Sequence, residues 1–230
     1  MRDPRCPDVY DANHARRILG EVDPPAFLSA LEAAYAGCGH RAVRLDPRSP
    51  GAALEAELLL RGFACELQIL MALPDALRGR RGGAAIRAVT SNADWDAFAL
   101  LKQGEFDADG LRLPGTTWRD HLRRKCPPAV TWLACLDGEP VGFFSELVRG
   151  DLALLEDLYV LPAARGQGVA TALMGHCTDD ARRRGAGTCF LAARADDTPR
   201  EMYGRMGFRA VGVTRNLLKT NAGADAPRRS

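Results

Sequence analysis

Residues 156–171 read Glu156-Asp157-Leu158-Tyr159-Val160-Leu161-Pro162-Ala163-Ala164-Arg165-Gly166-Gln167-Gly168-Val169-Ala170-Thr171. The order is strand, proline stop, glycine-rich loop, helix. The first turn of a helix leaves backbone N–H groups unpaired at the positive end of its dipole, which makes a site for anions. Gly166 and Gly168 lack a Cβ, so a pyrophosphate can approach the main chain closely. Arg165 adds a positive charge at the entrance. Downstream, Arg182-Arg183-Arg184 place cations in the last turn of the helix, and Gly185 suits a left-handed cap.

Working outward, residues 152–160 read as the strand that feeds the loop and residues 168–184 as the helix that leaves it. Upstream, 86–90 is a strand and 93–102 a helix carrying Trp95, Phe98 and Leu101 on one face. A polar, Gly-containing connection follows over 104–115, then a short helix over 117–125 stopped by Pro127 and Pro128. Two strands, 130–136 and 141–147, flank Asp137-Gly138-Glu139-Pro140, a hairpin signal. Downstream come a strand at 188–193, a helix at 199–206 and final strands at 208–213 and 216–219. The tail after Thr220 is small and polar and is expected to fray.

A break falls near residues 77–83, where apolar periodicity stops and Arg78, Arg80 and Arg81 alternate with glycines. This stretch reads as a solvated linker. Before it, half of the same plan recurs: helix 27–36, strand 42–45, helix 50–61, then Gly62-Phe63 opening the strand 66–71. Gly207-Phe208 occupies the corresponding place later, and that alignment puts Leu58 opposite Tyr203. The early copy lacks both the glycine loop and the tyrosine, so it is structural. The expected domains are 1–77, 84–219 and a flexible tail 220–230.

Three glycine-loop chemistries compete. A P-loop requires Gly-Lys-Ser or Gly-Lys-Thr, and neither occurs. A dinucleotide fingerprint requires a small residue where Thr171 stands, and its fold normally opens with the motif, whereas here it follows an antiparallel hairpin. What remains is Arg-x-x-Gly-x-Ala at Arg165, Gly168 and Ala170. This stretch, joined to Met202-Tyr203-Gly204-Arg205-Met206-Gly207-Phe208, resembles the signature of the GNAT superfamily of acetyl-CoA-dependent acyltransferases. The resemblance covers roughly 84–219 in element order. It implies a mixed α/β fold, with a mostly antiparallel central sheet flanked by helices and a partial copy of the same fold in front.

The resemblance also implies a site. The main chain of Leu158, Tyr159 and Val160 would pair with the pantetheine of acetyl-CoA, and the Val160 N–H would lie near the thioester oxygen. Arg165, Gly166, Gln167, Gly168, Val169, Ala170 and Thr171 would hold the pyrophosphate. An amine would attack the thioester directly, and Tyr203 would protonate the departing thiolate, a role suited to a phenol of unperturbed pKa about 10. Glu156 is the candidate base. Strand alternation would send Glu156 and Asp157 to opposite faces. Two departures from the family pattern stand out: Ala192 occupies a position where some members carry a glutamate base, and Asp196 replaces the usual cofactor-contacting Asn.

Composition limits the remaining possibilities. The chain has 230 residues, 31 basic against 29 acidic, and a hydrophobic fraction of 47% that can bury a sizeable core. The balance gives no electrostatic case for nucleic acid or a membrane surface. Seven scattered cysteines without a Cys-x-x-Cys pair read as reduced thiols in the cytoplasm. The start lacks the apolar stretch of a signal peptide. No metal is expected, since His176 and Cys177 are adjacent on a helix and diverge. The expected partner is a small-molecule or peptide amine, favoured as a cation by Glu105, Asp107, Asp109 and Asp120, and a homodimer is left open. The rival reading is a non-catalytic CoA-binding module, or transfer of another acyl group or to a protein amine.

Overall fold

The structure, a computed structural model, describes residues 1–49, 52–111, 113–125, 129–196 and 198–220. In chain order the elements are α1 (Pro24–Ala34), β1 (His40–Leu45), α2 (Ala52–Leu60), β2 (Ala64–Leu73), β3 (Ala85–Ala88), α3 (Asn92–Ala108) and α4 (Gly115–Lys125). They continue with β4 (Ala129–Leu136), β5 (Glu139–Arg149), β6 (Leu152–Val160), α5 (Val169–Arg183), β7 (Thr188–Arg194), α6 (Pro199–Arg205) and β8 (Arg209–Thr220). The hydrogen-bonded strand order is β1-β8-β2-β7-β6-β5-β4-β3. β3, β4, β5 and β6 pair antiparallel in sequence, whereas β6 and β7 pair parallel. The expected mixed, mostly antiparallel α/β architecture is what forms.

Two compact units are present. The first comprises Met1–Ile69, Arg194–Asp197 and Gly212–Ser230. Its core gathers Leu31, Tyr35, Val43, Leu45, Leu54, Leu58, Phe63 and Leu217, and β1 runs antiparallel to β8 from His40 opposite Thr220 to Leu45 opposite Arg215. The second unit, Leu70–Ala193 with Thr198–Val211, is built on the β4–β5–β6 meander. Asp137 and Gly138 take φ of 51° and 87°, the two positive values that a tight hairpin turn with matched twist demands. Phe98 of α3 packs edge-on to Phe143 of β5, with ring centroids 4.7 Å apart, and both rings are fully buried. Each such burial contributes roughly 1.5–3 kcal/mol.

Several local expectations need correction. The helix read as 93–102 continues to Ala108, so the first five residues of the supposed 104–115 connection are helical. Ser91 and Asp94 start it with a reciprocal capping box, and Gly104 does not end it. The two final strands are one, β8. Pro50, Pro127, Pro128 and the tail beyond Thr220, on which other boundaries were expected, lie outside the described residues.

Residues 77–83 are not a solvated linker. The Arg78 N–H donates to the Met206 carbonyl at 2.9 Å, and the Gly82 N–H to the Gly168 carbonyl at 3.1 Å. Arg81 pairs with Asp179 at 2.7 Å, and its guanidinium lies where a side chain on Gly175 would have to go. A Cβ on Gly82 would sit 2.1 Å from the Gln167 carbonyl oxygen. The segment is a strap, tied across the glycine loop and the start of α5.

Candidate active site

The site is built where β6 gives way to α5. The parallel ladder between β6 and β7 covers Leu152–Leu154 against Thr188–Phe190 and stops there, while β6 itself runs on to Val160. On its other side β6 stays paired with β5, but the register shifts between Phe143 and Ser145: Phe143 opposes Tyr159, and Ser145 opposes Glu156. Asp157 and Leu158 are therefore the bulged residues, and Asp157 has φ of 68°, a left-handed conformation that Asp tolerates better than most side chains. The alternation that would send Glu156 and Asp157 to opposite faces is interrupted at this point.

Asp157 is held by Lys102, whose Nζ lies 2.5 Å from Oδ1, and by Trp118, whose Nε1 donates to Oδ2 at 2.9 Å. Lys102 also reaches Glu105 at 2.6 Å and sits 4.8 Å from the ring centroids of both Phe106 and Trp118. Burial alone would lower the pKa of this ammonium, but Asp157 and Glu105 hold it above its ordinary value. The lysine thus stays charged inside an aromatic enclosure. Next along the bulged strand, the buried Tyr159 stacks against Phe143, centroids 5.6 Å apart. Burial, and after it Glu105, push its phenol up.

Beyond Val160 the chain makes a short 3₁₀ turn and enters the glycine loop. Gly166 and Gly168 have φ of 76° and 78°, and Gly168 is the N-cap of α5. A Cβ on Gly166 would meet open space, whereas one on Gly168 would come within 2.7 Å of the Gly82 nitrogen. The loop therefore needs glycine at 168 for packing and conformation together. A cleft of about 470 Å³ opens here. Its lining brings together Val160, Arg165, Gly166, Gly168, Val169, Ala170 and Thr171 of the expected residues. Arg165 folds back, its Nε donating to the Val160 carbonyl at 3.1 Å.

Other expected residues fall elsewhere. Gln167 does not line the cleft; its amide donates to the Ala163 carbonyl at 3.2 Å. Leu158, Tyr159 and Glu156 lie along β6 behind Val160. Tyr203 is half-buried on α6 with its ring 6.0 Å from that of Phe208, while its neighbours Met202, Arg205 and Met206 line the cleft. Asp196 is fully engaged by Arg194, with Nε and Nη2 each 3.1 Å from a carboxylate oxygen. Those hydrogen bonds hold it below the usual carboxylate range. Arg78, Gly79 and Arg205 line the cleft without having been expected there. The acidic group is partly neutralised by the chain itself, Glu105 by Lys102 and Asp120 by Arg119.

Comparison with known proteins follows the same lines. Residues 95–208 match the acetyltransferase (GNAT) family. A streptothricin acetyltransferase from Streptomyces lavendulae is 36% identical over 89 residues, which are 37% of this chain and 47% of the relative. The match thus spans about half of that relative's length. Among solved structures, a conserved protein of unknown function from Staphylococcus epidermidis ATCC 12228 aligns with a TM-score of 0.71 at 16% identity, over 95% of this chain and 88% of that one. A GCN5-related N-acetyltransferase from Kribbella flavida aligns with a TM-score of 0.61 at 20% identity, over 87% of this chain and 77% of the other. At these identities the likeness is one of fold.

Proposed function

This chain belongs to the acetyltransferase (GNAT) family, and from that premise we propose that it moves an acetyl group from acetyl-CoA to an amine. The observation that carries the reading is the cleft at the end of β6, floored by the N-terminus of a 15-residue helix and entered past glycines at φ near +77°. Peptide N–H groups and the helix dipole favour a diphosphate there, and the bare Cα of Gly166 gives it room to approach. Where the β6–β7 ladder stops, the main chain of Leu158, Tyr159 and Val160 is the stretch we assign to the pantetheine amides.

Acetyl-CoA supplies an acyl group already activated as a thioester. In this reading Glu156 takes the proton that the amine sheds, and Tyr203 holds the proton that the departing sulfur needs. Asp157 does not share the base's role, because both its oxygens are engaged by Lys102 and Trp118. The acceptor is a small-molecule or peptide amine approaching beside α3 and α4. Asp107, which accepts from the neutral amide of Gln103 at 2.8 Å, retains charge that would favour a cation. The likeness to a streptothricin acetyltransferase supports the reading of acetyl transfer.

Residues 1–77 are, in our proposal, a degenerate half-copy of the same fold. The Phe63 N–H donates to the Leu58 carbonyl at 3.1 Å and the Phe208 N–H to the Tyr203 carbonyl at 3.0 Å. Gly62 and Gly207, at φ of 84° and 105°, cap the two helices in the same left-handed way. We further propose a reducing, cytoplasmic setting, supported by the absence of disulfides at Cys6, Cys38, Cys65, Cys135, Cys177 and Cys189. Among the described residues no helix is long and apolar enough to cross a membrane. The deciding experiment is a screen of polyamines, aminoglycosides, amino acids and peptides, read out as free CoA thiol. Thiol release with one acceptor class supports the proposal. CoA binding without release for any acceptor would make the chain a CoA-binding module instead, and calorimetric silence at millimolar CoA would end the reading.

A further inference from the structure

Three arginines line the cleft: Arg165 before α5, Arg205 on α6 and Arg78 on the strap. Arg165 is tethered to the Val160 carbonyl. The side chains of Arg78 and Arg205 make no hydrogen bond or ion pair with a described residue, and no carboxylate is among the residues that line the cleft. Other arginines nearby are engaged, Arg81 with Asp179 at 2.7 Å, Arg182 with the Asp75 carbonyl at 2.6 Å and Arg209 with Asp75 at 3.5 Å, while Arg80 of the strap is not among the cleft-lining residues. Of the three arginines that line the cleft, Arg78 and Arg205 are thus the two whose side chains have no partner among the described residues. Three cationic residues lining one cleft, next to the positive end of α5, suit an anionic ligand.

The strap fixes where Arg78 stands. Its own N–H is bonded to Met206, one residue from Arg205. The next residue, Gly79, has φ of 112°, and a Cβ there would lie 3.3 Å from Thr171 Cγ2 in the first turn of α5. The contacts at Gly82 and Arg81 anchor the far side. A tether of this kind lowers the entropy lost when a long side chain is recruited to a ligand.

We propose that Arg78, with Arg205, reads the 3′-phosphate of CoA and so selects CoA over dephospho-CoA. This rests on the CoA reading given above. The glycine loop and Arg165 already answer the pyrophosphate. The remaining anionic group of that ligand is the terminal 3′-phosphomonoester, a near-dianion at neutral pH, and planar guanidinium forks suit its oxygens. The strap belongs to the segment that joins β2 to β3, so the determinant comes from outside the glycine-loop motif.

The test is calorimetry of the full chain with CoA and with dephospho-CoA. The wild type is expected to bind CoA at least about tenfold more tightly than dephospho-CoA, as a charge-assisted hydrogen bond at a partly exposed site would give. Arg78→Ala should weaken CoA by about tenfold and dephospho-CoA by less than about twofold, with Arg205→Ala showing the same selectivity. Arg78→Lys, keeping charge but not the fork, should fall between. Equal wild-type affinity for the two ligands, or equal losses on both in Arg78→Ala, would overturn the assignment and leave the CoA reading standing. Absence of binding of either ligand to the wild type would remove both.

Discussion

Replacing Lys102 by Met tests how the bulge of β6 is held. The side chain is 2% exposed, and its ammonium touches two carboxylates and faces three aromatic rings. Methionine keeps the length of the stem and removes the charge, leaving the partly buried Asp157 and Glu105 together without their cation. Breaking a buried ion pair from one side costs about 3–5 kcal/mol. At about 2–4 °C per kcal/mol for a chain of this size, the melting temperature should fall by roughly 6–20 °C. Because the folded pKa of Lys102 is raised, its contribution is fully present below the ordinary lysine value and is lost as pH rises through the raised one. The deficit of the variant should therefore be flat from about pH 6 to 9. Adding Asp157→Asn and Glu105→Gln to Lys102→Met should recover part of the loss, since neutral amides tolerate the missing cation. Thermal melts followed by circular dichroism read all three proteins. A single variant melting within about 2 °C of wild type would refute the reasoning, because 3 kcal/mol cannot hide in so small a shift.

Other consequences follow from the same geometry. Gly168→Glu should abolish CoA binding, since its Cβ meets the strap at the Gly82 nitrogen and its carboxylate repels a diphosphate; calorimetry giving wild-type affinity would count against the loop. Tyr203→Phe should lower turnover by roughly 10²-fold or more, the usual scale for a proton donor, with CoA affinity nearly unchanged, and an unaltered rate would remove the phenol from the reaction. Glu146 is fully buried, and burial together with Asp180 pushes its carboxyl up to about 8 despite the Arg184 guanidinium. A raised carboxyl makes the folded state lose stability as pH climbs from the unfolded value toward 8, so Glu146→Gln should gain on wild type across about pH 5 to 8. Parallel melting curves over that range would contradict this.

The parts of the fold legible in sequence are those whose physics is local. Asp137-Gly138 announces its turn because few other residue pairs adopt two successive positive φ values. Gly166, Gly168 and the helix behind them are legible for the same reason. The strap was not, because what holds it is remote: Arg81 and Asp179 are 98 residues apart, and no periodicity marks a segment whose shape is set by contacts. The end of α3 is not legible because Gly104 resembles punctuation, although glycine inside a helix costs only about 1 kcal/mol. The glycine that matters there is Gly115, where a Cβ would fall 2.3 Å from the Ala99 carbonyl oxygen and would hold α4 away from α3.

Lys102 carries a signal that is legible in the sequence. Phe98, Lys102 and Phe106 fall four residues apart, on one helical face, and both phenylalanines are fully buried. A lysine at the centre of such a face must find carboxylates or lose its charge. Glu105, three residues on, is one. A lone glutamate on the same helix would not repay the burial of an ammonium, so a second carboxylate had to come from another element, and the acidic pair Glu156-Asp157 is the nearest prominent candidate upstream of the glycine loop. That inference leads from α3 to the acidic pair, and the contacts of Lys102 and Trp118 then assign Asp157 to architecture. Strand alternation assumes unbroken pairing, and a left-handed aspartate clamped by a buried lysine is the circumstance in which that assumption fails.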